Sequence, residues 1–163
     1  MGSPAVDPIL ASARATPLPN STPRHEVLGL PSMPNASCDT IVVIEDHPEF
    51  RDYIATLLRR AGYAVIGFAT AVAALRHIAS VPARLIITDV FMPDMDGFEV
   101  LTELKRLHLD IPVIALTGAD PRHAMFLDAI KQMGARAGFT KPIDATALLA
   151  AVAHLGGDPS QDP

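Results

Sequence analysis

Three short apolar runs and one weaker strand-like stretch in this chain each lead into a residue able to do chemistry. Ile41 to Ile44 (IVVI) stops at Glu45-Asp46, and Leu85 to Thr88 (LIIT) stops at Asp89. Ile111 to Leu116 (IPVIAL) stops at Thr117-Gly118, and Ala135 to Thr140 leads into Lys141-Pro142. An apolar run closing on a carboxylate is how a buried parallel strand delivers a reactive group to the edge of a sheet. Brought together, the set is three carboxylates, a hydroxyl and an ammonium. Neighbouring carboxylates raise one another's pKa unless a cation joins them. Hard oxygen ligands in a partly open site suit Mg2+, here through Glu45, Asp46 and Asp89. Asp89 is then a nucleophile toward a phosphoryl group, with Lys141 pairing its oxygens as a point charge and Thr117 donating a hydrogen bond. The residues predict phosphoryl transfer to Asp89.

Whether these groups meet depends on the elements that carry them. Between the runs lie helical stripes: Phe50, Ile54, Leu57, Leu58 and Ala61 recur at spacings of three and four after Pro48, and Gly62 ends them. Tyr63 to Ile66 reads as a further strand, and Thr70 as the cap of a helix carrying Val72, Leu75 and Ile78. A third helix runs from Gly97 to about Leu107 with Phe98, Leu101 and Leu104 inward. Asp120-Pro121 opens a fourth whose apolar face is Met125, Phe126, Ile130 and Met133, stopped by Gly134. Asp144 caps the last, with Leu148, Leu149, Val152 and Leu155, before Gly156-Gly157. Strand then helix, five times over, predicts an α/β fold: a doubly wound five-stranded parallel sheet with five helices. In such a sheet, ligands sit beyond the carboxyl ends of the strands. The four polar strand ends therefore converge.

The domain so defined spans 39–156. Residues 1–38 hold seven prolines among Ser, Thr, Ala and Asn, and read as a flexible tail or linker in which His25 to Leu30 offers a short apolar contact. Residues 157–163 read as a disordered C-terminal tail. A formal charge of −5 argues against direct nucleic-acid binding. One cysteine, Cys38, excludes an internal disulfide and fits a cytoplasmic location. No apolar run approaches the ~20 residues of a membrane span, and no signal-peptide pattern opens the chain.

With these residues in place, the stretch from 40 to 155 resembles the receiver domain of two-component response regulators, a flavodoxin-like family. The resemblance rests on Glu45-Asp46, on Asp89 with Pro93 and Gly97 in DVFMPDMDG, on Thr117 in ALTG, and on Lys141-Pro142. It implies that Asp89 accepts phosphate from a histidine kinase or a histidine phosphotransfer protein. The output is then a change in binding to a downstream target whose identity the residues leave open. The chain is a phosphoacceptor signalling domain on this reading, not an enzyme beyond its own phosphotransfer and dephosphorylation. It further implies Mg2+ held by Asp46, Asp89 and the Phe91 carbonyl, with Glu45 acting through water, and a cis Lys141-Pro142 peptide. A homodimer through the fourth helix, fifth strand and fifth helix is compatible with it. The family usually carries Tyr or Phe three residues before the lysine, a ring that moves with the threonine; here that switch position is Gly138, with Phe139 beside it. Strand alternation predicts that Phe139 points into the core, so altered coupling among Thr117, Gly138 and Phe139 is expected.

Other readings are weaker. Thr117 alone would be a turn residue and Lys141 alone a solvated charge; their standing comes from the set. An Asp-nucleophile phosphatase of the haloacid dehalogenase type would need an Asp where Phe91 stands. No glycine-rich phosphate loop follows the first strand. A receiver segment of a larger hybrid histidine kinase stays open. The six histidines show no metal-ligand spacing, though His47 adjoins the acidic pair. Arg59-Arg60 and Lys105-Arg106 read as solvated helix charges.

Overall fold

The computed structural model describes residues 39–120 and 123–158; the proline-rich segment 1–38, Pro121-Arg122 and residues 159–163 lie outside them. Five strands form one parallel sheet: β1 (Thr40–Ile44), β2 (Ala64–Phe68), β3 (Leu85–Asp89), β4 (Val113–Thr117) and β5 (Ala137–Thr140). Their order is β2-β1-β3-β4-β5. The helices between and after them are α1 (Pro48–Arg60), α2 (Ala71–Ile78), α3 (Gly97–Arg106), α4 (Ala124–Gln132) and α5 (Ala145–Gly156). The expected α/β fold is therefore the observed one.

The central strands β1, β3 and β4 are mostly apolar because both of their faces are covered, and their polar members cluster toward the strand ends, as Thr88, Asp89 and Thr117 do. Val42, Ile44, Ile86, Val113 and Ala115 join residues of α2, α3 and α4 in one core layer. The alternating residues Ile41, Val43, Leu85, Ile87, Ile114 and Leu116 join Ile54 and Leu58 of α1 and Leu148 and Val152 of α5 in the other. Side-chain alternation along each strand feeds both layers at once.

Helix starts follow local chemistry. Asp96 and Glu99 form a reciprocal capping box at α3, and the Asp144 carboxylate accepts from the Thr146 and Ala147 amides at α5. Just past the end of α3 and its C-cap Leu107 stands His108, whose φ of 55° is left-handed. There the Leu109 amide donates to the Leu104 carbonyl and the His108 amide to that of Lys105, a motif that favours glycine. Because His108 is exposed, His108→Gly removes strain without removing packing. It should stabilise the domain by about 0.5–1 kcal/mol, read as a higher urea midpoint at unchanged slope.

Three sequence expectations are corrected. Val72 does not join the inner stripe of α2 but is 46% exposed. The buried residues are Ala71, Ala74, Leu75 and Ile78, and Val72 lies about 100° round from that stripe. Met125 is likewise turned outward, because the buried residues of α4 include Leu127, two positions on and so on the opposite side of the helix. α4 also begins later than Asp120-Pro121 suggests: it starts at Ala124, after His123, whose amide donates to the Asp120 carbonyl. Strand bounds shift by one to two residues, with β2 running on to Phe68 and β4 to Thr117.

Candidate functional site

Parallel pairing sets the ends of β1, β3, β4 and β5 side by side, with Ile44 opposite Thr88, Asp89 opposite Leu116, and Thr117 opposite Thr140. The polar residues at or just after these ends consequently meet. Lys141 Nζ donates to Asp89 Oδ2 at 2.5 Å and to Glu45 Oε2 at 2.7 Å. The other Asp89 oxygen accepts from the Phe91 amide at 3.1 Å, which fixes the carboxylate against its own loop. Glu45, Asp89 and Thr117 are all buried. Beside them opens a cavity of about 460 Å³, lined by His47, Phe50, Asp89, Phe91 and Lys141 among others.

Two supports hold this arrangement. The Arg51 guanidinium donates to the Glu45 carbonyl at 2.8 Å, and the Glu45 amide donates to Phe68 at the end of β2. Gly97 lets α3 approach the loop after β3, since a Cβ there would stand 3.1 Å from the Asp89 carbonyl oxygen and from Val90 Cα. Both are backbone atoms, so a larger residue would move the Asp89 loop itself.

One ammonium serves two buried carboxylates, and the electrostatics follow. Burial pushes the Glu45 carboxyl above its ordinary 4.5; the Lys141 hydrogen bond opposes this and the charge of Asp89 adds to it. Burial pulls Lys141 downward, but its hydrogen bonds and charge contacts with Asp89 and Glu45 outweigh that, and the net shift is upward from 10.5. Lys141 is thus charged at neutral pH, one ammonium shared between two buried carboxyl groups. His47 Nδ1 lies 3.0 Å from Asp46 Oδ1 and 3.3 Å from Glu45 Oε1, and its hydrogen bond to Asp46 raises its pKa above 6.5. Glu45, Asp46 and His47 each bring a donor atom within 4.8 Å of the others, so together they could hold a metal ion. Two of these three members are carboxyl groups, an oxygen-rich donor set that fits a hard dication.

Thr117 Oγ1 is buried and has no protein hydrogen-bond partner among the described residues, which leaves its hydroxyl open to a water or a ligand. Gly138 lies on the face of β5 turned to α4: a Cβ there would be 2.9 Å from Leu127 Cδ2 and 3.2 Å from Lys131 Cε. Leu127 thus fills the space beside Gly138. Phe139 packs on the opposite layer, with the α1 and α5 residues. The Lys141-Pro142 peptide is cis.

Some features here are invisible in the sequence. The Phe50 ring, which reads only as part of a helical stripe, lies under Lys141 with Nζ 4.3 Å from its centroid. Phe91 stacks on His123 at 4.3 Å and meets Phe126 edge-on at 5.1 Å. The basic pairs Arg59-Arg60 and Lys105-Arg106 are exposed helix charges, three of which also make surface contacts: Arg59 donates to the Val65 carbonyl, Lys105 to that of Met133, and Arg106 pairs with Glu103.

The architecture that carries the site is a five-stranded parallel sheet with a carboxylate–lysine pair at its carboxyl edge. The chain belongs to the response regulator receiver domain family, whose model matches residues 41–153. It is 32% identical over 126 residues to the DNA-binding transcriptional regulator NtrC of Rhizobium meliloti (strain 1021), covering 76% of this chain and 25% of that protein. It is 33% identical to the regulatory protein VanRc of Enterococcus gallinarum, covering 70% of this chain and 48% of that one. Among solved structures, the signal receiver domain of a signal transduction histidine kinase from Syntrophus aciditrophicus is 30% identical with a TM-score of 0.65, covering 77% of this chain and 95% of that one. The chain thus spans from a quarter to about half the length of these two curated relatives. Among the described residues, no helix is long and apolar enough to cross a membrane.

Proposed function

We propose that this receiver domain is phosphorylated on Asp89 by a histidine kinase or a histidine phosphotransfer protein, and that the modification changes its binding to a downstream protein in the cytoplasm. The observation carrying this reading is the contact of Lys141 with both Asp89 and Glu45, beside a buried and unpaired Thr117 hydroxyl. In the transfer, a carboxylate oxygen of Asp89 forms the new O–P bond as the donor's P–N bond breaks, and the imidazole nitrogen keeps the electron pair. Lys141 moves its ammonium contact from the Asp89 carboxylate to a phosphoryl oxygen, and Thr117 donates to another. Both stabilise charge that the buried site would otherwise leave uncompensated. Asp46, Asp89 and the Phe91 carbonyl would hold Mg2+, with Glu45 and His47 beside it. When bound, Mg2+ neutralises the repulsion between the carboxylates and the incoming phosphoryl oxygens.

The added charge of about −1.5 to −2 on Asp89 is the signal, read as a shift between two arrangements of the domain. A homodimer through α4, β5 and α5 is one form the downstream contact can take. With Mg2+ and a small amido phosphate, the protein should gain one phosphoryl group by intact mass, and Asp89→Asn should lower that labelling at least about 100-fold. Equal labelling of both proteins sinks the proposal.

A further inference from the structure

The aromatic ring beneath Lys141 belongs to a helix, not to the strand ends that supply the reactive groups. Phe50 stands in the first turn of α1, is half-buried, lines the cavity beside Asp89, and holds Lys141 Nζ 4.3 Å from its ring centroid. We infer that Phe50 is a positioning residue for Lys141, its ring face holding the ammonium over the Asp89 carboxylate before and after transfer. The inference rests on the reading that Lys141 pairs with the phosphoryl group.

The argument is one of freedom and direction. A lysine side chain has a flexible four-carbon stem, and its ammonium is a compact charge that many geometries satisfy. Here it has two carboxylate partners, and one of them, Asp89, is the group that becomes esterified. When Asp89 Oδ2 ceases to be a free carboxylate oxygen, the 2.5 Å contact must be given up for a phosphoryl oxygen. Glu45 alone, at 2.7 Å, would draw the ammonium toward β1 and away from the cavity. A ring face attracts a cation through its quadrupole within about 6 Å of the centroid, with little demand on direction. The ammonium can therefore slide across the ring as its anionic partner changes. Phenylalanine also offers no hydrogen-bond donor or acceptor, so it does not compete for the phosphoryl oxygens.

Phe50 also packs against the core layer of α1 and α5, so truncation would mix packing with charge. Fluorination separates them. In the full-length chain, 4-fluoro-, 3,5-difluoro- and 3,4,5-trifluorophenylalanine at position 50 nearly keep the ring's shape and progressively weaken its negative face. The initial rate of labelling by a small amido phosphate with Mg2+ should fall stepwise, reaching about threefold to tenfold at the trifluoro ring. A flat series, or a single drop at the first fluorine with no further change, overturns the inference. A second readout needs no phosphorylation: the Lys141 ε-methylene protons should resonate upfield of those of Lys105 and Lys131, and Phe50→Leu should remove that ring shift. Unshifted protons also overturn it. If the unsubstituted protein is not labelled at all, the phosphoacceptor function fails and this inference falls with it. The ring shift then still reports the Phe50–Lys141 contact, so the two failures can be told apart.

Discussion

Lys141→Met is expected to lower the stability of the domain by about 3 kcal/mol at neutral pH, the low end of what breaking a buried ion pair does. Tm should fall by about 10 °C for a domain of this size. Methionine replaces most of the stem's volume, so the loss is electrostatic: Glu45 and Asp89, both buried, are left facing each other without the ammonium that serves them. Its pH dependence gives the sign. Glu45 already has a folded-state pKa raised above 4.5, so its contribution to stability is fully present below 4.5 and is lost as pH rises through the raised value. Removing Lys141 raises that value further, because a stabilising partner of the ionised form is gone. The deficit of the variant should therefore be largest near neutrality and shrink toward acid as Glu45 takes up a proton. Urea melts across that range check it, and Glu45→Gln combined with Lys141→Met should recover most of the loss. A deficit that does not change with pH would assign the effect to packing instead.

Gly138→Tyr should destabilise the domain by about 2 kcal/mol, because its ring enters space that Leu127 already occupies. The first added carbon would stand 2.9 Å from Leu127 Cδ2. Alanine at this position meets only the movable ends of Leu127 and Lys131, and should change stability by less than about 1 kcal/mol. Leu127→Ala alone opens a void on the same face and should lose about 2 kcal/mol. Joined, the two substitutions place a ring where a leucine was. The double variant should be more stable than the sum of the single losses predicts by at least about 1 kcal/mol. Strict additivity, measured by urea unfolding, would mean that the tyrosine turns outward to solvent and that Leu127 and Gly138 do not share one space. The double variant places an aromatic ring on the face of β5 that looks toward α4, two residues along the ladder from the Thr117–Thr140 pair.

The polar residues at the ends of β1, β3, β4 and β5 were legible from the chain alone, for a local reason. A strand buried on both faces is a nearly unbroken apolar run, so a carboxylate or hydroxyl at its end stands out along the chain even where it is itself buried, as Glu45, Asp89 and Thr117 are. Helix order was legible through the 3.6-residue period. Helix phase was less so: Val72 and Met125 are apolar and nearly in register, yet both face outward. The angle of a helix about its axis is set by what it packs on, and α2 packs on the line of Ala71, Ala74, Leu75 and Ile78. Apolar residues flanking such a line can stay exposed without penalty.

By itself, the sequence determined a five-unit α/β chain and the residue types that parallel pairing gathers at one edge. It also specified that β5 carries Gly138 and Phe139 at adjacent positions, and so on opposite faces of the sheet. The tertiary structure alone decided the distances. Lys141 meets Glu45 across 96 positions and Asp89 across 52, and no pattern along the chain encodes a contact of that span. It also decided that Leu127 of α4 takes the space beside Gly138, and that Phe50 of α1 lies beneath the ammonium. Periodicity says which side of an element is apolar. Only packing says which atom stands opposite it, because side-chain contacts depend on the angles and separations at which helices settle on the sheet.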